Sequence, residues 1–167
     1  TFELYNDIHN SQLNIGNNNL ITLNNDTHTY NVEKLTVTGD INMSADVSLA
    51  DKTMDRFAAK EYGEHTGKLN VSALNYVNST KIPTDVKIEV LFADNGLKDN
   101  VTESLGGQTI LTPIFKYGVS YDNRKDGGYF VFNRGGSAGG NPSNAFNPAI
   151  LASPVSTIAA SQSTINE

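Results

Sequence analysis

Between Gln12 and Leu49 the apolar residues fall on alternate positions, in runs too short for anything but strands. Leu13/Ile15, Leu35/Val37, Ile41/Met43 and Val47/Leu49 each keep a period of two, the spacing that sets side chains on one face of a β-strand. The clusters "GNNN", "NNDT" and "TGD" part the runs every six to twelve residues. Asn and Gly accept the left-handed backbone that tight turns require. Such punctuation suits a sandwich, a barrel or a β-solenoid. Composition decides the order of preference: the chain holds 21 Asn, no Trp and only 18% charged residues. Asn amides can stack in ladders between adjacent coils. The expected fold is therefore all-β, a parallel β-solenoid (β-helix) whose coils bury their inner faces against one another, even though no fixed repeat length runs through the sequence.

Further runs extend the pattern. "GKLNVSALNYVN" (67–78) alternates at Leu69, Val71 and Ala73, and "VKIEVLFA" (86–93) places Val86, Ile88, Val90 and Phe92 on one face. Residues 94–108 are polar and Gly-bearing and read as a loop with one helical turn at most. "TPIFKYGVSYD" (112–122) and "GGYFVFNR" (127–134) then read as two aromatic strands joined by "DNRKDGG". Asp126-Gly127 is the turn dipeptide such a hairpin favours. Tyr117, Tyr121, Tyr129, Phe130 and Phe132 supply cross-strand aromatic pairs, each worth roughly 0.2–1 kcal/mol. From Gly135 onward "GGSAGGNPSN" has the composition of a flexible linker. The expected organisation is 1–134 as solenoid with a hairpin cap at 112–134, and 135–167 as a Gly/Ser/Asn/Pro linker with an Ala/Ser-rich connector.

Charge and composition exclude several classes. A net charge of −6 with no Lys/Arg cluster argues against a nucleic-acid partner. No apolar run reaches the ~20 residues of a membrane-spanning helix, so no direct insertion of this segment is expected. With no cysteine, disulfides and thiolate metal sites are out, and a chain crossing an oxidising periplasm unfolded would escape trapping. The sequence opens at Thr1 without a signal peptide and reads as an excerpt of something longer.

Chemistry-bearing motifs are scarce. No G-x-S-x-G, Walker loop or dinucleotide fingerprint occurs. His9, His28 and His65 lack metal-ligand spacing and read as solvent-exposed turn residues. The Asp-rich turns "TGDINMSAD" and "FADNGLKDN" offer fewer oxygens than a calcium site needs. The stretch "DVSLADKTMDRF" (46–57) is the exception, with five charges in twelve residues. Asp46, Asp51 and Asp55 would serve as the carboxylates of a carbohydrate-active β-helix enzyme if two of them faced each other across a groove. The plainer reading has Asp51 starting a turn and Asp55-Arg56 forming a surface pair.

Taken in order, "LTVTGDINMSADVSLADKTMDRF", "GEHTGKLNVSALNYVN", "LFADNGLKDNV", "TPIFKYGVSYDNRKDGGYFVFNRGG" and "AFNPAILASPV" resemble the C-terminal end of autotransporter-type passenger regions from gut-associated bacteria. The resemblance runs from Tyr30 to Val155 and is most specific at Leu49–Arg56, Tyr117–Arg134 and Phe146–Val155. It implies an Asn-rich solenoid, an aromatic hairpin that acts as folding cap, and a linker to an outer-membrane β-barrel of the same polypeptide. It also implies that 46–57 is architectural: Asp46, Asp51, Met54, Asp55 and Arg56 would set the register of a turn, with no catalytic, cofactor or metal residue. The chain departs from the family pattern in two ways. No barrel appears before Glu167, and "TESLGGQTI" stands where a longer polar insert is usual.

The expected function is a non-catalytic structural stem displayed outside the bacterial cell and anchored at the outer membrane. Two alternatives stay open. One is a surface adhesin module that meets a host glycan or protein through Tyr5, Tyr62 and Tyr76, to be recognised by a clustered exposed aromatic patch. The other is the carbohydrate-active enzyme. No cofactor is expected under the stem reading.

Overall fold

The computed structural model describes residues 2–5, 12–77, 81, 83–106, 108–112 and 115–135. The strands are β1 (Phe2–Leu4), β2 (Gln12–Ile15), β3 (Asn18–Thr22), β4 (Thr29–Val37), β5 (Ile41–Ser48), β6 (Thr53–Met54), β7 (Arg56–Tyr62), β8 (Leu69–Tyr76), β9 (Lys87–Ala93), β10 (Val101–Glu103), β11 (Thr109–Leu111), β12 (Lys116–Arg124) and β13 (Gly127–Arg134). A 3-10 turn at Lys98–Asn100 is the one helical element among the described residues. The protein is all-β.

The chain visits two parallel sheets in turn. One sheet runs β1-β3-β5-β8-β10 with β6 attached to β5, and the other runs β2-β4-β7. Leu20 stacks on Met43, Ile41 on Leu69, and Leu69 on Val101. In the second sheet Leu13 stacks on Leu35 and Tyr30 on Phe57. These columns are buried, so each strand of a period-two run lies over an apolar residue of the previous circuit. The sequence distance between stacked residues is not constant. Phe2 pairs with Leu20, Leu20 with Met43, Ile41 with Leu69 and Leu69 with Val101, so each circuit is longer than the one before. A fixed repeat is therefore absent from the sequence although the stacking is regular.

Outside the first sheet, polar residues take the same register. Asn42 Nδ2 donates to Asn19 Oδ1 at 3.5 Å, Asn70 Nδ2 to Asn42 Oδ1 at 2.9 Å, and Thr102 Oγ1 to Asn70 Oδ1 at 2.9 Å. An amide offers both a donor and an acceptor, so Asn19, Asn42 and Asn70 carry the ladder over three strands and Thr102 ends it on a fourth. At the corners, Asn17 Oδ1 accepts from Asp40 N, and Asp40 Oδ1 accepts from Lys68 N.

The chain leaves the stack at β9 and returns to it once, in β10. β9 follows β8 but pairs antiparallel with β13, in a four-stranded sheet ordered β11-β12-β13-β9. Phe92 and Phe130 meet edge-on at 5.4 Å, and Tyr121 lies against Phe130 at 5.3 Å. The buried side chains of this sheet and of the parallel stack form one continuous core. The hairpin expected at 112–134 is thus half of a larger antiparallel sheet. Its turn residues are Lys125-Asp126, with Arg124 paired to Gly127, rather than Asp126-Gly127.

Other sequence expectations need correction. Ala73 was expected on the inner face, but the register shifts between Met43 and Ser44, so Leu74 is buried in its place. Such a bulge flips every later residue to the other face. Val86 precedes β9 and is 48% exposed. The loop 94–108 contains β10, too short to show a period. The linker expected at 135–167 lies outside the described residues except for Gly135.

Candidate functional site

Residues 46–57 form a tight reversal. β5 and β6 pair antiparallel, Val47 with Met54 and Ser48 with Thr53. Lys52 takes a left-handed φ of 59°, which closes the turn. Ser48 Oγ donates to Asp51 Oδ2 at 2.9 Å. Asp51 itself is exposed and pairs with Lys81 at 3.1 Å, and Lys52 pairs with Asp85 at 2.8 Å. Val47, Leu49, Met54 and Phe57 point into the core. The reversal inserts Met54 between two circuits before β7 rejoins the second sheet.

Asp55 is the fixed point of this crossing. Its side chain is fully buried and it touches three successive circuits. Oδ2 accepts from the backbone N of Asp46 at 2.7 Å and contacts the Thr22 hydroxyl, while Oδ1 accepts from the backbone N of His28 at 2.9 Å. Its own N–H donates to Asp46 O at 2.9 Å. A backbone amide buried at a strand crossing must find an acceptor, and one carboxylate serves two of them. Burial raises the Asp55 carboxyl above the usual carboxylate range, against the pull of the bonds from Thr22, Asp46 and His28. Asp46 is raised by its own burial and next by the charge of Asp55.

The expected Asp55–Arg56 surface pair is not formed, because successive residues of an extended chain point to opposite sides. Arg56 instead reaches Asp94 at 2.6 Å. The other Asp94 oxygen accepts from Tyr62 OH at 2.9 Å, and that hydroxyl accepts from Ala59 N at 3.2 Å. Gly96, two residues on, lies so close to the Tyr62 ring that a Cβ would stand 2.3 Å from Cδ2. The Gly96 carbonyl is 2.8 Å from His65 Nε2, and His65 Nδ1 accepts from Val37 N at 3.0 Å. That bond fixes the tautomer: Nε2 carries the proton and donates to Gly96 O. His65 is thus a staple between two circuits and the β9–β10 turn rather than a free turn residue. His28 is half-buried against the Tyr30 ring at 4.6 Å, and His9 lies outside the described residues. Nothing in the sequence pairs Arg56, Tyr62 and His65 with "ADNG" thirty or more residues away, since only the stacking brings them together.

In the antiparallel sheet, Tyr117 OH donates to Asp85 O at 2.8 Å and Tyr121 OH to Lys98 O at 2.8 Å. Tyr117, Phe130 and Phe132 are fully buried. Gly128 leaves room for the Tyr121 hydroxyl, which a Cβ would meet at 1.9 Å. Asp126 accepts from Tyr129 OH at 3.2 Å beside the Lys125-Asp126 turn, Gly127 opens β13, and Arg124 covers the Tyr129 ring at 4.6 Å.

These contacts specify position, and they leave the acidic residues of 46–57 unsuited to shared chemistry. Asp55 is buried on backbone amides and Asp46 is buried beside Asn75, while Asp51 is outside on the turn, so the three do not line one groove. Among the described residues no group of three or more His, Asp or Glu is placed to hold a metal ion, and no helix is long and apolar enough to cross a membrane. No family model, curated protein or solved structure matches the chain. Tyr62 and Tyr76 are half-buried against the core, leaving Tyr5, at 53% exposure, as the large exposed aromatic among the described residues.

Proposed function

We propose that this chain is the capped end of a parallel β-solenoid and serves as a non-catalytic stem. The observation that carries the reading is the change of topology at β9. Five strands of one sheet and three of another stack in parallel; β9 leaves them for an antiparallel sheet, the chain returns once to the stack in β10, and β11–β13 complete the antiparallel sheet, whose aromatic residues share the core. A bare solenoid end is a sheet edge open to association, and a cap removes that hazard.

Folding order follows from loop closure. β12 and β13 are joined by two residues, whereas parallel partners are separated by 18 to 32 positions (Phe2 with Leu20, Leu69 with Val101). Local pairing closes at lower entropic cost and faster. The hairpin therefore forms first and templates β9, and the circuits behind it add in turn. By the resemblance to autotransporter passengers, such a stem would stand at the bacterial surface, extracellular, next to an outer-membrane β-barrel of the same polypeptide. Folding outside the cell would keep the segment from slipping back.

Intact cells of the source bacterium, probed with an antibody raised against residues 12–135, test this reading. The expected result is surface labelling without permeabilisation, reduced in cells carrying Phe130→Ser. Labelling only after lysis would overturn it. A host glycan or protein as partner, or sugar turnover, would show instead as saturable binding or product release by the purified chain.

A further inference from the structure

The hydroxyl of Thr22 stands between two acceptors. Oγ1 is 3.1 Å from the backbone oxygen of Ser44 and in hydrogen-bonding contact with Asp55 Oδ2. A hydroxyl has one proton to donate. With Asp55 ionised, that proton serves only one of the two oxygens, and Thr22 Oγ1 then turns a lone pair toward a lone pair of the other. Among the described residues no Lys or Arg pairs with Asp55, because the neighbouring Arg56 guanidinium is committed to Asp94.

The groups around the carboxyl divide as follows. β3 contributes the neutral Thr22, β5 contributes Asp46, and the segment leading into β4 contributes His28, with Asp26 acting on Asp46 from the same segment. Asp46 opposes a second negative charge, and His28 favours it. Burial sides with Asp46.

We propose that the folded protein carries Asp55 as the neutral carboxylic acid. Its Oδ2 proton is donated to Thr22 Oγ1, and the Thr22 proton is donated in turn to Ser44 O. Every oxygen in the chain Asp55–Thr22–Ser44 is then matched. Oδ1 still accepts from His28 N, and the hydroxyl Oδ2 keeps a lone pair for Asp46 N. The relay links β3, β5 and the β6–β7 crossing, so it is a proton-dependent clamp on three circuits. It is closed while Asp55 holds its proton and opens when the proton is lost. This inference is independent of the stem reading.

Carboxyl-carbon NMR of the full chain, uniformly labelled with ¹³C and assigned through the backbone, tests the proposal without requiring any Asp55 variant to fold. The exposed Asp85 and Asp99, whose carboxyls are held low by their hydrogen bonds to Lys52 and to Asn123 and Lys98, provide internal references. The expected result is an Asp55 carboxyl carbon at the protonated position at neutral pH, unmoved while Asp85 and Asp99 titrate in acid. An Asp55 resonance that follows theirs through the acid range would overturn the proposal.

Discussion

The carboxyl group of Asp55 accepts a hydrogen bond from the backbone amide of Asp46 at 2.7 Å, nine residues earlier in the chain. The same carboxyl group receives His28 N from the preceding circuit. One side chain thus ties the two ends of the β5–β6 reversal to the strand stacked beneath it.

Replacing Asp55 by Ala strands the backbone amides of Asp46 and His28. An unmet buried polar group costs about 1–3 kcal/mol, so a loss of about 3 kcal/mol or more is expected in urea denaturation. Asp51→Ala removes an exposed contact worth roughly 0–1 kcal/mol. Equal effects of the two changes would contradict the assigned roles.

The amide ladder predicts coupling between residues 28 positions apart. Asn42→Ala and Asn70→Ala should each cost about 0.5–1.5 kcal/mol, the net worth of an ordinary hydrogen bond. In a double-mutant cycle their effects should fall short of additivity, because Asn70 Nδ2 donates to Asn42 Oδ1. Strict additivity would mean that the ladder is not formed in solution.

Phe130 sits at the centre of the antiparallel sheet, between Phe92 and Tyr121. Phe130→Ala should destabilise by about 3–5 kcal/mol, the range for truncating a buried aromatic. Tyr5→Ala, on an exposed side chain, should stay within about 0.5 kcal/mol. Thermal and chemical unfolding of the two variants measure the contrast.

Burial raises the hydroxyls of Tyr62 and Tyr121 to about 12 from an ordinary 10.0. The unfolded chain therefore gives up these protons at lower pH than the folded one. Stability from this source is fully present below pH 10 and is lost as pH rises from 10 toward 12. Absorbance titration should show these two tyrosinates appearing only near pH 12, above the ordinary tyrosine range. Ionisation of all tyrosines together, with the fold intact, would contradict the burial of the pair.

Strand positions were legible in the sequence because period two is a local signal. Ile41/Met43 and Val47/Leu49 stack inward as their spacing predicts. The repeat was hidden by circuits that lengthen, and β10, with one buried residue, has no period to detect. In 46–57 the inward pair Val47/Leu49 was readable, but the partner of Arg56 was not. Asp94 lies 38 residues away, and only the stacking of β7 against the β9–β10 turn brings the two together. Likewise Ala73 was misassigned because a bulge leaves no mark in composition.

Pulse-labelled hydrogen exchange during refolding tests the proposed cap most directly. The account predicts that amides of β12, β13 and β9 are protected before those of β3 and β5. Protection of β3 and β5 first, with the antiparallel sheet forming last, would contradict it.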